Sequence, residues 1–113
     1  MKSIRLLVAA VLALTATQCL HAQGAWPVRT VRIIVPLPPG GPSDIVLRGA
    51  IEKMQPALNQ PLIVDNKPGA DSVIGTDADA KSKGDGYTLL MGSAPLSTNP
   101  GLMPRLPYDA HKD

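Results

Sequence analysis

The chain has 113 residues, of which 44% are hydrophobic, 18% charged and 3% aromatic. This length allows at most one small domain, and the few aromatic residues do not make a stacking platform for single-stranded nucleic acid. Lys2 and Arg5 account for the formal charge of +2, and the rest of the chain has nine basic and nine acidic residues. The charge therefore gives no support to nucleic-acid binding, which needs clustered Lys and Arg.

Residues 1–22 are predicted to be a secretory signal peptide. Lys2 and Arg5 supply a positive start, and the apolar run 6–16 is too short to cross a membrane. Cleavage is expected after Ala22. The sequence therefore predicts export from the cytoplasm, and a bacterial periplasm is the simplest destination.

Two other interpretations of this segment remain open: a lipoprotein signal in which Cys19 carries the lipid, and a short uncleaved helical anchor. Cys19 is the only cysteine of the chain. Residues 23–113 therefore contain no thiol and can form no disulfide, despite the predicted export.

A buried strand, a glycine loop and a helix start are predicted in that order. The strand covers Thr30–Val35, and the run PLPPGGP after it ends the strand because proline supplies no N–H group to a sheet. Ser43 is the expected N-cap of the helix, with Asp44 in its first turn. Unpaired N–H groups at such a helix start favour an anion, which we expect to be a carboxylate of a small solute.

The first helix is predicted from Ser43 to about Gln55. Apolar residues recur at helical spacing along one face, at Leu47, Ile51, Met54 and Leu58. Pro56 is expected to stop or kink the helix because it lacks an N–H group, and Asn59 suits a left-handed C-terminal turn.

Two more strands and a weak helix are predicted before a proline-rich tail, which begins at Gly92 and is expected to be irregular. The second strand, the helix and the third strand are placed at Pro61–Asp65, about Val73–Lys83 and Tyr87–Met91. The order β-α-β-α-β predicts an α/β fold with a parallel sheet. Ligands bind at the carboxyl ends of such strands, so the loops that begin at Pro36, Asn66 and Gly92 are expected to meet at one edge.

Catalysis and cofactor binding have less support. The glycine loop lacks the lysine of a nucleotide-binding P-loop, and G-x-G-x-x-G is absent, while a simple connecting turn remains an alternative. His111, the only histidine after the signal, lies in the tail and leaves the serines without a strong base. Asp44 fits a bracing role better than that of a base, and the aspartates lack calcium-loop spacing. We therefore predict no enzymatic activity, no metal and no cofactor.

Four blocks of the chain resemble one family of receptors. They read VRIIVPLPPGGPSDIVLR, PLIVDNKPGADSVIGT, GDGYTLLMGS and NPGLMPRLPYDAHKD, and they cover nearly all of residues 28–113 in the family's order and spacing. On these blocks the chain resembles the periplasmic solute receptors of tripartite tricarboxylate transporters, the Bug receptor family. The resemblance implies part of the first domain of a two-domain α/β fold of the type II-like periplasmic-binding-protein class.

The resemblance also implies a function. Receptors of this family close on a small carboxylate-bearing molecule, an organic acid or an amino acid, and deliver it to the membrane permease subunits of the transporter. The anion is held largely by backbone N–H groups of the strand-end loops. Carried over by position, the ligand-binding residues are expected to be Pro38, Gly40, Gly41, Ser43, Asp44, Ala70, Asp71, Ser72 and Ser93.

Two departures from the family pattern bear on this expectation. Asp71 stands where the family's second loop usually has a glycine, and its charge would repel an anion unless it points away or the ligand carries an amine. Family receptors are also much longer, so residues 23–113 are expected to be the N-terminal part of the first domain, without the second. The alternatives are a truncated product without binding activity, an exported enzyme that uses the glycine loop, and an interaction module without a ligand.

Overall fold

The computed structural model describes residues 26–113, and the predicted signal peptide lies outside the described residues. The elements follow in the order β1 Val31–Val35, α1 Pro42–Leu58, β2 Leu62–Asn66, α2 Val73–Ala80, β3 Thr88–Leu90 and α3 Ala94–Leu102. The predicted alternation of strands and helices is confirmed, and α3 is added to it.

The three strands form one parallel sheet with β1 between β2 and β3. Along its whole length β1 pairs with β2. On the other side, the Arg32 N–H donates to the Tyr87 carbonyl at 2.9 Å and the Met91 N–H donates to the Ile34 carbonyl at 2.8 Å. These two bonds lie just outside β3, so the pairing reaches the limits predicted for the third strand. The α/β fold with a parallel sheet is therefore confirmed.

The hydrophobic core lies between the sheet and α1. It consists of the buried side chains of Val31, Ile33, Val35, Leu47, Ile51 and Leu62. The strand β1 contributes three of them because alternate residues of a strand face the same side. Leu47 and Ile51 lie one helical turn apart, and Leu58 packs against the edge of the cluster. Met54, predicted to belong to this face, is 43% exposed.

The start of α1 differs from the prediction. Gly41 is the N-cap, and Ser43 lies inside the helix, so the expected capping role of Ser43 is wrong. Pro42 occupies the first helical position, where a missing N–H group costs no hydrogen bond and the ring fixes a helical φ. Asp44 lies in the first turn, as predicted.

The end of α1 also differs. The helix passes through Pro56 and ends at Leu58, so the predicted stop near Gln55 is wrong. In the last turn, Pro56 removes only one hydrogen bond of the helix, and packing of Leu58 on the core favours its continuation. Asn59 then adopts the predicted left-handed conformation, with φ of 51°.

The second and third helices correct two further expectations. The helix α2 ends at Ala80, earlier than predicted. The tail after Gly92 is not irregular throughout, because it forms α3. Pro95 lies in the first turn of α3, where proline costs no intrahelical hydrogen bond, and Pro100 lies in its last turn, where it removes one. None of the helices in residues 26–113 has the length and apolar character needed to span a bilayer.

Candidate functional site

Three loops leave the carboxyl ends of the parallel strands at one edge of the sheet: loop 1 (residues 36–41), loop 2 (67–72) and loop 3 (91–93). The beginning of α2 packs tightly against this edge. A Cβ atom added to Gly75 would lie 2.7 Å from the Pro36 Cβ and 2.7 Å from the Lys67 carbonyl oxygen. The predicted convergence of the strand ends is therefore confirmed, and only glycine allows the approach of α2 to loop 1.

A buried carboxylate braces loop 1. Asp44 is 3% exposed, and its Oδ2 accepts the Gly40 N–H at 3.0 Å and the Arg48 Nε–H at 2.8 Å. Its Oδ1 accepts the Asn66 Nδ2–H at 3.0 Å, which ties loop 1 to the end of β2. Donation by Arg48, then by Gly40 and Asn66, holds the pKa of Asp44 well below its usual range. Because both of its oxygens are occupied, Asp44 acts here as a bracing residue.

The N–H groups around the glycine turn are only partly open. The Gly40 N–H, which we expected to be unpaired, donates to Asp44, so that part of the prediction is wrong. The N–H groups of Gly41, Ser43 and Asp44 find no protein acceptor within residues 26–113. They form the N-terminal turn of α1, where the helix dipole favours an anion. Pro38 is exposed and has no N–H group to offer.

Loop 2 contains three consecutive residues in the left-handed region. Ala70, Asp71 and Ser72 have φ values of 46°, 52° and 69°, which L-residues rarely adopt. Ala70 and Asp71 are exposed, whereas Ser72 is buried and is the N-cap of α2. In the described part of the chain the N–H groups of all three residues donate to no protein acceptor. Loop 2 therefore has a second set of unpaired N–H groups, and those of Ala70 and Asp71 belong to exposed residues.

A pair of hydroxyl groups joins loop 2 to loop 3. The Ser93 Oγ lies 3.4 Å from the Ser72 Oγ, and Ser93 is the N-cap of α3 in an extended conformation. A serine hydroxyl both donates and accepts hydrogen bonds. The two serines that were predicted from different loops thus meet at the sheet edge, where the hydroxyl hydrogen that is not used between them can be donated to an anion.

Loop 2 also carries an uncompensated negative charge. Asp71 is exposed and forms no ion pair with the cations of residues 26–113. Its neighbour in the loop, Lys67, instead lies 3.6 Å from a carboxylate oxygen of Asp65 on β2. Arg48 is already paired with Asp44. An anion at this edge would therefore depend on N–H and hydroxyl groups.

Asn99 is the site residue that sequence analysis missed. It lies in α3, is completely buried, and donates from its Nδ2 to the Asp71 carbonyl at 2.9 Å. The tail was expected to be irregular, so nothing connected Asn99 with loop 2. The available signal was Ser93 followed by Pro95, which is the pattern of an N-cap with proline in the first helical turn.

The unpaired N–H groups and the hydroxyls thus lie at the carboxyl edge of a parallel sheet, which is the edge at which α/β domains of this architecture bind ligands. The protein-family model described as the tripartite tricarboxylate transporter family receptor matches residues 46–113. The chain therefore belongs to this receptor family, as its four sequence blocks predicted.

Relatives agree in sequence and in structure. Over 90 residues the chain is 49% identical to protein BugT of Bordetella pertussis, a match that covers 78% of this chain and 28% of BugT. The periplasmic binding protein BugD has a TM-score of 0.71 at 40% identity, over 75% of this chain and 28% of BugD. A protein of R. palustris solved with adipate has a TM-score of 0.73 at 30% identity, over 78% of this chain and 30% of that protein.

The chain spans less than a third of the length of each of these three relatives. Two of the three are solved structures above 25% identity, and their fold is that of the sheet and helices described here. The predicted class, part of a periplasmic-binding-protein domain, is therefore confirmed for the matched residues.

Proposed function

We propose that this chain belongs to an extracytoplasmic solute receptor that binds a small carboxylate-bearing metabolite, an organic acid or an amino acid. The receptor would deliver this metabolite to the membrane permease subunits of a tripartite tricarboxylate-type transporter. The location would be periplasmic, with residues 1–22 acting as the export signal. Membership of the receptor family supports the proposal, as does the relative solved with adipate.

One observation carries the proposal. The open N–H groups of Gly41, Ser43 and Asp44 lie at the same edge of the sheet as the Ser72–Ser93 hydroxyl pair. A carboxylate has two oxygens that accept several hydrogen bonds, so donors from different loops can hold it together. No covalent bond is made or broken in this interaction. The proposed activity is reversible capture, not catalysis.

The bracing of loop 1 explains why such a site can work without a free cation. Asp44 holds the Gly40 N–H and Arg48 neutralises Asp44, so the loop keeps its shape without presenting a net negative charge to the ligand. Backbone donors fixed in advance lose little conformational freedom on binding. Affinity then depends on preorganised dipoles at the helix start.

Calorimetry with the purified chain tests the proposal. Adipate at neutral pH is expected to bind at one site and raise the melting temperature, and adipamide, which has the same length without charge, should bind much more weakly. A wider panel of dicarboxylates, tricarboxylates and amino acids then defines the ligand class. A cooperative melt that none of these compounds shifts would contradict the proposal.

Two variants of Gly41 test the role of its N–H group. The φ of −75° at this position is compatible with proline and with alanine. Gly41→Pro removes the N–H group, whereas Gly41→Ala keeps it and places a Cβ only 3.4 Å from the Pro38 carbonyl oxygen, an ordinary contact. We expect the proline variant to lose clearly more affinity for adipate than the alanine variant at matched melting temperature. Equal losses of affinity in the two variants would mean that the Gly41 N–H group does not bind the ligand.

A further inference from the structure

We propose that Asn99 is a positioning residue for the candidate site: it holds loop 2 in the left-handed conformation that leaves the N–H groups of Ala70, Asp71 and Ser72 free for a ligand. This inference rests on the proposed function, because it assigns the residue that shapes one side of the same site. Asn99 itself is not expected to contact the ligand.

The helix α3 contacts loop 2 at two neighbouring residues. At its N-terminus, the Ser93 Oγ lies 3.4 Å from the Ser72 Oγ. Six residues further along, the Asn99 Nδ2 donates to the Asp71 carbonyl at 2.9 Å. Two attachments to consecutive loop residues restrict the rotation of the peptide between them. Loops 2 and 3 are therefore expected to move together with α3.

The surroundings of Asn99 argue against a role in packing alone. Asparagine is a weaker helix former than leucine or alanine, yet Asn99 is completely buried inside α3. Its Oδ1 is also buried and accepts no hydrogen bond from the residues that the structure describes. A buried oxygen without a donor is unfavourable. The bond to the Asp71 carbonyl is what asparagine adds at this position and an apolar residue would not.

Loop 2 needs such a restraint because its conformation is unfavourable by itself. Each of its three left-handed residues has a Cβ that crowds the backbone, and surrounding structure must hold such residues in place. The Ala70 and Ser72 carbonyls accept from α2, at 3.1 Å in each case. Within residues 26–113 the Asp71 carbonyl between them accepts only from Asn99. Loss of that bond frees the central peptide to rotate.

The test compares Asn99→Ala with Thr98→Ala in the full 113-residue chain. Thr98 is the neighbouring residue of α3, is exposed, and bonds only within the helix, so it is a matched control. A strong intraresidue NOE between the amide and α protons marks a positive φ and can be read for residues 70–72 without any ligand. Affinity for adipate is then measured by calorimetry on the same samples.

We expect Asn99→Ala to weaken these NOEs and to raise the Kd for adipate about tenfold, as when ~10% of molecules keep the competent loop. Thr98→Ala should change neither. Ala70→Gly in the Asn99→Ala background should recover affinity without recovering the melting temperature, because glycine adopts φ of 46° without strain.

Unchanged NOEs and an unchanged Kd in Asn99→Ala would overturn the inference, and so would a loss of affinity that Ala70→Gly fails to recover. If the wild-type chain binds no carboxylate while Asn99→Ala loses the NOEs, the proposed function fails but the positioning of loop 2 by Asn99 stands. The two failures are therefore distinguishable.

Discussion

The carboxylate of Asp44 accepts the main-chain N–H group of Gly40 across 3.0 Å, which closes loop 1 onto the start of α1. The same oxygen accepts from Arg48, one helical turn further on. A short side chain thus converts a flexible glycine turn into a fixed one. The unpaired N–H groups of Gly41, Ser43 and Asp44 keep a defined direction because the hydrogen bond to Asp44 fixes the conformation of Gly40 beside them.

Asp44→Asn is expected to lower the melting temperature at neutral pH by several degrees. The amide brings an NH₂ group into a site where Gly40, Arg48 and Asn66 already donate, and it removes the charge that pairs with Arg48. Thermal unfolding followed by circular dichroism measures the change. Glu52→Gln, an exposed change on the same helix, is the control and should have little effect. Equal shifts in the two variants would contradict the bracing role.

The same carboxylate predicts a loss of stability in acid. The pKa of Asp44 in the folded chain lies below its ordinary value of 3.8, so the unfolded chain takes up a proton first as the pH falls. The contribution of the Asp44 carboxylate to the free energy of unfolding is fully present above this ordinary value and is lost as the pH falls below it. Between about pH 5 and pH 3 the wild-type melting temperature should therefore fall more steeply than that of Asp44→Asn. If the melting temperatures of the wild type and of Asp44→Asn fell in parallel with pH, the loss of stability in acid could not be assigned to Asp44.

Asp79→Asn is expected to raise stability at neutral pH. Burial raises the pKa of Asp79, and the charge of Arg32 offsets this only in part. The Asp79 Oδ1 is buried and has no donor in the described part of the chain. Because the folded pKa is raised, the charged carboxylate costs stability above that pKa, and the cost disappears as the pH falls through it.

The comparison with Asp77→Asn makes the Asp79 prediction specific. Asp77 lies on the same helix and its Oδ1 is likewise buried without a donor in the described part of the chain, but its Oδ2 is 2.7 Å from the Lys81 Nζ. Its neutralisation should bring no gain at neutral pH, because it breaks an ion pair. Melting temperatures at neutral and acidic pH test both variants. A destabilised Asp79→Asn protein at neutral pH would show that its carboxylate is satisfied.

Gly75→Ala should destabilise the fold by about 1–3 kcal/mol, because the new Cβ overlaps the backbone of loop 1 and cannot be accommodated by a side-chain rotation. The nearest atoms lie at 2.7–2.8 Å and belong to Pro36 and Lys67. Gly49→Ala is the matched change: a Cβ there meets nothing within 4 Å in helix α1. It should stabilise the helix by about 0.5–1 kcal/mol. Chemical denaturation measures both, and the prediction is wrong if the two changes have the same sign.

Asp71→Asn is expected to tighten the binding of a dicarboxylate at low ionic strength. Asp71 is exposed and unpaired among the described residues, so its charge acts through water, where two charges ~4 Å apart repel by about 1 kcal/mol. A gain of about fivefold in affinity should shrink as salt is added. Asparagine tolerates the left-handed conformation, so the loop should keep its shape. An unchanged Kd for adipate would mean that the carboxylate points away from the ligand.

The strands and the core could be predicted from the sequence because their patterns are local. Apolar residues in β1 and the four-residue spacing of Leu47 and Ile51 reflect which face of each element is buried. The order of the elements then required a parallel sheet, and that sheet required the strand ends to meet. Proline misled the prediction at Pro56 and in α3, since it costs no intrahelical hydrogen bond in the first turn of a helix and only one in the last turn.

The sequence by itself thus determined the α/β fold, the edge at which the loops meet and, through its four blocks, the receptor family. Only the tertiary structure decided which donors remain open there. The Gly40 N–H is occupied by Asp44, the Ser72 and Ser93 hydroxyls meet, and Asn99 reaches the Asp71 carbonyl. The last two contacts join residues 21 and 28 positions apart. Contacts at such separations produce no periodic pattern in the sequence, because they depend on how neighbouring elements pack.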